Sequence, residues 1–278
     1  MPDRPSTPWG RLKHAALVQA VRQSQRLVRR YPLPSRPDDL PAPVRRALAL
    51  GSAPPPTRDA ALDQALQQGV ATAEFCDSRA IFTLDGALLP CWQEADLELA
   101  DGWLLSPRYY PLYYALFQSL SAPERRLRML EIGVRTGYIA VAFARAARGP
   151  AFYLGLDPNL YLADGLRRAH DSLAALRARG GPEFALVEGY SWDTATQHSL
   201  GYSGPFDLIH IDGDHTLPGK LVDLDLARGL LAPGGLVLVD DYDHHGIVSD
   251  AVRRALALGW FGKFAYLPTL RGLAVLQL

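Results

Sequence analysis

The chain has 278 residues and a mass of 30.5 kDa, which suits one large domain or a core domain with an appendage. Apolar residues make up 48% and charged residues 21%, which excludes a disordered chain or a coiled coil. The 29 basic and 29 acidic side chains cancel, so no overall field draws the protein to nucleic acid or an anionic membrane. Two cysteines, Cys76 and Cys91, and the lack of any apolar run of about 18 residues predict a cytoplasmic protein with neither a disulfide framework nor a membrane span.

Residues 1–104 are predicted to be a partly helical appendage that serves as a lid, an oligomerisation arm or a substrate-binding segment. The arginine-rich stretch 11–30 has helical periodicity. Its composition is that of a basic surface helix, and a transit peptide is the alternative. Proline-rich sequence then surrounds short helices at 42–50 and 59–70, and Asp85-Gly86 predicts a hairpin turn.

Residues 105–278 are predicted to form a doubly wound α/β domain. A tyrosine-rich helix is expected at 106–120, starting at Ser106-Pro107. Apolar runs then alternate with helical stretches, which is typical of a parallel sheet covered on both faces. The strands are expected at 127–134, 152–157, 183–189, 206–212 and 235–240, and the helices at 138–148, 161–179, 217–231 and 248–258. Two last strands, 264–268 and 273–277, are expected as an antiparallel hairpin at the edge, which completes a mostly parallel seven-stranded sheet.

A glycine turn follows the first strand of this sheet, from Glu131 through Gly133 and Arg135 to Gly137. Such a turn presents backbone N–H groups and a helix N-terminus to a ligand. The spacing differs from GxGxxG, which disfavours a nicotinamide dehydrogenase, and Glu131 favours a cationic ligand over a phosphate. The alternative is a purely structural turn.

Polar residues follow the next two strands in the same way. Asp157 ends the second strand, where a carboxylate can accept bonds from both hydroxyls of a ribose, or can cap a helix. After the third strand, Gly189, Ser191 and Trp192 are expected beside an adenine ring, unless the aromatic residue simply packs on its own sheet.

Acidic residues and histidines follow the fourth and fifth strands. Asp212, Asp240 and Asp241 are expected to converge, because neighbouring parallel strands lie about 4.8 Å apart. Three carboxylates repel one another and call for a cation, and hard oxygen ligands favour Mg²⁺. Zinc stays possible because His215, His244 and His245 are near in sequence. His210 is interpreted as a core histidine.

These motifs resemble those of the class I S-adenosylmethionine-dependent methyltransferases. Residues 130–145 are similar to the first motif of the catechol O-methyltransferases, and residues 211–216 to the macrocin O-methyltransferase branch. The resemblance implies a Rossmann-like methyltransferase fold, S-adenosylmethionine held by the glycine turn, Asp157 and Asp212, and Mg²⁺ held by Asp212, Asp240 and Asp241. Where the catechol enzymes have a lysine base this chain has His215, and where they have an asparagine ligand it has Asp241.

The expected function is therefore Mg²⁺-assisted O-methylation of a small hydroxylated metabolite in natural-product biosynthesis. His215, or Asp212, would accept the hydroxyl proton. The alternatives are a cyclase or lyase that consumes the same cofactor without an acceptor, and a non-catalytic binding module. A small molecule is the expected partner, with no nucleic acid and no membrane, and a homo-oligomer can form through the N-terminal segment.

Overall fold

The structure is a computed structural model that describes residues 39–92, 106–159, 162 and 164–278. The helix predicted at 11–30 lies outside these residues. None of the described helices is both long and apolar enough to cross a membrane.

The described N-terminal part consists of short helices and one hairpin. The helices are α1 (Ala42–Ala49), α2 (Ala60–Thr72) and α3 (Ser78–Ile81), and the hairpin joins β1 (Thr83–Leu84) to β2 (Ala87–Leu88). Asp59 caps α2, since its carboxylate accepts from Leu62 N at 2.8 Å. Asp85 and Gly86 both have positive φ, at 51° and 82°, as the predicted two-residue hairpin turn requires.

The rest of the chain is a doubly wound α/β unit. Its strands are β3 (Leu127–Ile132), β4 (Ala151–Asp157), β5 (Glu183–Glu188), β6 (Phe206–Ile211), β7 (Leu231–Val239), β8 (Lys263–Leu267) and β9 (Leu273–Gln277). Its helices are α4 (Tyr110–Leu120), α5 (Tyr138–Ala146), α6 (Gly165–Arg177), α7 (Thr194–Ser203), α8 (Leu217–Leu230) and α9 (Gly246–Ala257). Apolar runs form the central strands, because both faces of the sheet are covered.

The seven strands are ordered β5-β4-β3-β6-β7-β9-β8. The first five are parallel, and β9 pairs antiparallel with both β7 and β8, so the predicted seven-stranded, mostly parallel sheet is confirmed. From β3 the chain adds β4 and then β5 on one side, and it then crosses back to form β6 on the other side of β3. The crevice between the carboxyl ends of β3 and β6 is therefore the topological switch point, where ligands bind in such sheets.

Two details differ from the prediction. Helix α4 starts at Tyr110, because Pro111 occupies its first turn while Ser106 O accepts from Tyr109 N in a preceding turn. Helix α7 lies where the sequence indicated only a loop. It buries just Thr196 and Leu200, so it lacks the apolar periodicity that marks a helix in sequence.

The N-terminal part packs directly on the α/β unit. Guanidinium Nη1 of Arg254 donates to the carbonyl oxygens of Ala47 and Leu48 at 3.1 Å, which holds the C-terminal end of α1 against α9. At the other face, Arg168 on α6 donates to the carbonyls of Pro90 and Cys91 at 2.9 Å. The division of the chain at residues 104/105 and the role of the appendage stay predictions.

Gly133→Ala tests how closely the backbone of β3 approaches that of β6. Gly133 has φ +97°, and a Cβ there would lie 2.4 Å from Asp212 O. We expect a loss of about 2–5 kcal/mol in the free energy of unfolding, from left-handed strain and overpacking together. Gly180→Ala is the matched control, since Gly180 has φ +87° with nothing within 4 Å, and it should lose only about 1–2 kcal/mol. Equal losses in urea titrations would contradict the close approach.

Candidate functional site

The glycine turn after β3 is shaped by the protein's own backbone. Gly133 N donates to Leu156 O, and Asp212 N donates to Ile132 O, both at 2.8 Å. These hydrogen bonds join the turn to β4 on one side and to the end of β6 on the other. The space that a side chain would need at Gly137 is filled by Ala169, whose Cβ would lie at 2.8 Å. The two glycines thus allow close packing against β6 and α6, and they also leave the N-terminus of α5 facing the crevice.

Asp157 fixes the outer half of this turn. One carboxylate oxygen accepts from Arg135 N at 2.8 Å, and the other accepts from Asn159 N at 2.6 Å. Arg135 has the positive φ of 54°, which is costly for a residue with a side chain and which this bond helps to hold. Burial raises the pKa of Asp157 although the backbone N–H groups oppose the rise. Each oxygen keeps a second lone pair, which is what a ribose hydroxyl would need.

Glu131 belongs to a buried series of polar side chains and does not lie in the open crevice. Tyr153 Oη donates to its carboxylate, and His210 Nδ1 lies 3.5 Å from the other oxygen. The second nitrogen of His210 lies 3.3 Å from Tyr113 Oη. Burial raises the pKa of Glu131. Burial works against the charged form of His210, yet Glu131 together with Asp240 and Asp212 raises its pKa, so the carboxylates around it favour the protonated ring.

The loop after β5 lies beside the same crevice. Gly189 N donates to Asp157 O at 3.1 Å, and a Cβ at Gly189 would meet Thr196 Oγ1 at 2.6 Å. Ser191 is buried, and its carbonyl accepts from Gln197 on α7. Tyr190 and Trp192 stack on each other with ring centroids 4.5 Å apart. Helix α7, which the sequence did not reveal, therefore supports this predicted adenine-side loop.

Asp240 ends β7 and points towards α4. Tyr109 Oη donates to its Oδ2, and its Oδ1 is buried without a hydrogen-bond partner among the described residues. Burial raises the pKa of Asp240, and the negative charge of Asp212 raises it further. A buried carboxylate oxygen without a partner is costly, which is compatible with a cation in this region.

Asp241 points the other way, towards Arg271 and two histidines. Arg271 Nη2 donates to its Oδ2 at 2.7 Å, and the guanidinium Nε lies against Oδ1. His215 Nε2 and His245 Nε2 each lie 3.5 Å from Oδ2. Asp241 has φ +64°, and burial with the charges of Asp212 and Asp240 raises its pKa to about 7.

Asp212 and His215 form the accessible part of the cluster. His215 Nε2 lies 3.3 Å from Asp212 Oδ1, and both side chains are 34% exposed. Burial would raise the pKa of Asp212, but the bond with His215 and the charges of His215, His210 and Lys220 lower it to about 2. Asp212 is thus an anion at the mouth of the crevice.

The structure therefore brings most of the predicted residues to one edge of the sheet, in two groups. The glycine turn, Asp157 and the 189–192 loop lie towards β4 and β5, and Asp212, His215, Asp240 and Asp241 lie towards β7. Sequence analysis missed Tyr109 and Arg271, which contact the acidic pair from distant parts of the chain. No local signal marks either, because their role comes from α4 and the β8–β9 turn folding over the site.

A second buried polar pair lies on α8 beneath the site. Lys220 and Asp223 are 0% and 1% exposed, and neither side chain has a hydrogen-bond partner of good geometry among the described residues. Burial raises the pKa of Asp223 to about 7, against the influence of Lys220 and the Ser191 hydroxyl. Asp223 was not singled out from the sequence, since it follows the helical pattern without forming a motif.

Asp223→Asn should make stability less dependent on pH. A folded-state pKa of about 7, above the usual value of 3.8, means that the folded chain retains a proton that the unfolded chain loses. This contribution is complete below pH 3.8 and is lost as pH rises to 7. The variant should flatten the fall of unfolding free energy between pH 5 and 7 by up to about 1.4 kcal/mol per pH unit.

Asp225→Asn is the control for this experiment, because it makes the same change two residues along α8, at a carboxylate that pairs with Arg228. Unfolding free energies from urea titrations at several pH values supply the measurement. If both variants follow the wild-type pH profile, Asp223 does not retain a proton in the folded state.

Comparison with known proteins identifies a family model that matches residues 130–242, described as a methyltransferase domain. The chain is 32% identical over 143 residues to the O-methyltransferase ankF of Aspergillus thermomutatus, which covers 50% of this chain and 56% of that protein. It is 28% identical over 135 residues to a rhamnosyl O-methyltransferase of Mycobacterium tuberculosis (strain ATCC 25618 / H37Rv), which covers 47% and 51%. The chain spans about half the length of these relatives.

Solved structures with a similar course of the backbone include the O-methyltransferase TomG from Streptomyces achromogenes. It is 18% identical, with a TM-score of 0.45, and the likeness covers 88% of this chain and 99% of that one. An O-methyltransferase from Bacillus cereus is 17% identical, with a TM-score of 0.45, and covers 80% and 92%. At these sequence identities and TM-scores, neither structure indicates what this chain binds. The assignment of the fold depends on the strand order given above.

Proposed function

We propose that the protein, whose residues 130–242 match a methyltransferase domain, is a class I S-adenosylmethionine-dependent enzyme that transfers the sulfonium methyl group to a hydroxyl oxygen of a small hydroxylated metabolite. One observation carries the proposal. The glycine turn and the pair Asp212–His215 meet at the same switch-point crevice, where Asp212 N is bonded to Ile132 O. A cofactor bound at the glycine turn and an acceptor hydroxyl bound at Asp212 and His215 would lie next to each other. Aligning these two reactants is the main contribution that such an enzyme makes to the rate.

The cofactor half of the proposal assigns a part to each predicted residue. The turn from Gly133 to Gly137, with the N-terminus of α5 that follows it, lies at the methionine end. Asp157 accepts from the ribose, and Ser191 and Trp192 flank the adenine beside Gly189. Glu131 does not contact the cofactor. It contributes negative electrostatic potential from the protein interior, which favours the cationic sulfonium. The support is the shared edge of the sheet on which these groups lie.

The acceptor half assigns the proton transfer. The hydroxyl oxygen forms a bond to the methyl carbon as the carbon–sulfur bond breaks and its electron pair returns to sulfur. The hydroxyl proton passes to Asp212 or to His215, which lie 3.3 Å apart and are both reachable from solvent. Histidine is suited to this step near neutral pH.

A divalent cation is proposed to assist the reaction. The sequence-based ligand set is Asp212, Asp240 and Asp241, with Mg²⁺ as the ion. A cation in this region is supported by two observations: the charge of Asp212 adds to burial in raising the pKa values of Asp240 and Asp241, and Asp240 Oδ1 lacks a partner among the described residues. When bound, the ion lowers the pKa of the acceptor hydroxyl and orients it.

The acceptor class is proposed to be a sugar or phenol hydroxyl of natural-product metabolism. A rhamnosyl O-methyltransferase and ankF are among the relatives, which supports an oxygen acceptor. The cytoplasm is the proposed location, and self-association through the N-terminal segment stays part of the proposal.

Cofactor binding and turnover are the first test. S-adenosylhomocysteine should bind the full chain in a calorimetric titration, and Asp212→Asn should abolish methyl transfer while the chain stays folded. His215→Ala should lower kcat by about 10²–10⁴-fold with little change in affinity for S-adenosylhomocysteine, because His215 acts on the acceptor hydroxyl and not on the cofactor. Lack of nucleoside binding would overturn the proposal. Formation of methylthioadenosine without an acceptor would favour a cyclase or lyase.

Chelation is the separate test of metal assistance. At saturating acceptor, EDTA treatment followed by dialysis should lower kcat, and Mg²⁺ or another divalent ion should restore it, because the hydroxyl loses its activating charge. Unchanged kcat after chelation would contradict metal assistance and leave methyl transfer standing.

A further inference from the structure

We propose that His215, Asp241 and His245 bind a transition-metal ion, with zinc as the best fit, in place of the all-carboxylate magnesium set that the sequence indicates. The proposal deepens the function proposed above by naming the cation and its ligands. Binding of the ion rests on the three side chains alone, and only its use in methyl transfer rests on the proposed function.

Two of the three separations between the ligand atoms are those that zinc requires. His215 Nε2 and His245 Nε2 each lie 3.5 Å from Asp241 Oδ2, and all three atoms lie within 4.8 Å of one another. Tetrahedral zinc with bonds of about 2.0–2.2 Å sets its ligand atoms about 3.3–3.6 Å apart. Both imidazole–carboxylate separations match this spacing, whereas a hydrogen bond between the same atoms would be about 0.5 Å shorter.

The ligand types favour a borderline metal over magnesium. Two imidazoles and one carboxylate suit zinc, whereas magnesium prefers an octahedral shell of oxygen. His215 and His245 are 34% and 41% exposed, so an ion can reach them from solvent. Asp240 Oδ2 accepts from Tyr109, and among the described ion pairs none joins Asp240 to His215 or His245, so Asp240 is not part of this ligand group.

Arg271 supplies the outer support for such an ion. It pairs with Asp241 through Nη2 and Nε and so fixes the orientation of that carboxylate, as hydrogen-bonded partners of metal ligands commonly do. Asp212 Oδ1 lies 3.3 Å from the same nitrogen, His215 Nε2. With His215 bound to the ion, Asp212 becomes the acceptor of the hydroxyl proton, which decides between the two acceptors left open above.

The test measures metal binding directly. Untagged, metal-depleted full-length protein is dialysed against Zn²⁺ or Mg²⁺, and bound metal is measured by mass spectrometry. Co²⁺ is added separately as a spectroscopic probe. We expect one Zn²⁺ per chain, tighter binding of Zn²⁺ than of Mg²⁺, and a visible Co²⁺ spectrum typical of four-coordinate imidazole ligation.

Matched variants identify the ligands. His245→Gln should weaken Zn²⁺ binding by at least about tenfold and abolish the four-coordinate Co²⁺ spectrum. His244→Gln, at the neighbouring histidine outside the ligand group, should leave both unchanged. Circular dichroism and S-adenosylhomocysteine titration verify that each variant folds. Equal Zn²⁺ affinity in the two variants, or no Zn²⁺ binding by the wild type, would overturn the proposal, as would Zn²⁺ binding lost in Asp240→Asn but kept in His245→Gln.

Failure of this inference and failure of the proposed function give different results. Absence of Zn²⁺ binding together with intact methyl transfer would refute the ligand set alone. Stoichiometric Zn²⁺ binding without any uptake of S-adenosylhomocysteine would refute the methyltransferase proposal and leave the metal site.

Discussion

The site depends on one electrostatic constraint: several carboxyl groups lie close together at the ends of adjacent buried strands. Glu131 lies near the end of β3, Asp212 follows β6, and Asp240 and Asp241 follow β7. Four carboxyl groups therefore approach one another, and all but Asp212 are buried. Such a group is costly unless cations or donors face it. His210, Tyr109, Arg271 and the exposed histidines are the groups that do so, and each has its place because a different element packs against the edge.

His210 has the central place in this arrangement. It lies between Glu131 and Tyr113 in the interior, and the neighbouring carboxylates raise its pKa against the effect of burial. The interpretation of His210 as a core histidine is right about its burial. The structure adds that its two ring nitrogens face Glu131 on one side and Tyr113 on the other.

The N-terminal part and the last hairpin complete the site from outside the central strands. Arg168 draws residues 90 and 91 onto α6, and the aromatic rings of Phe82 and Trp92 stack at 4.3 Å beside Tyr138, the first residue of α5. At the opposite end, the β8–β9 turn brings Arg271 to Asp241. Residues far apart in the chain thereby enclose a crevice whose floor comes from residues 130–242.

The sequence by itself determined the mostly parallel α/β class with its antiparallel edge hairpin, the glycine turn and the edge at which the acidic residues meet. These features are local: apolar runs, turn residues and the side of a strand on which a residue stands are all readable along the chain. Helix α7 was not predicted from the sequence, because it buries only Thr196 and Leu200 and so has no periodic apolar pattern.

Tertiary structure alone decided how the acidic residues are divided. Asp240 turns to Tyr109 and Asp241 to Arg271, His215 and His245, although the two are neighbours in sequence. A one-dimensional pattern fixes where a backbone ends a strand. The direction of each side chain depends on which distant donor it meets, and that is settled only when α4 and the β8–β9 hairpin pack over the edge.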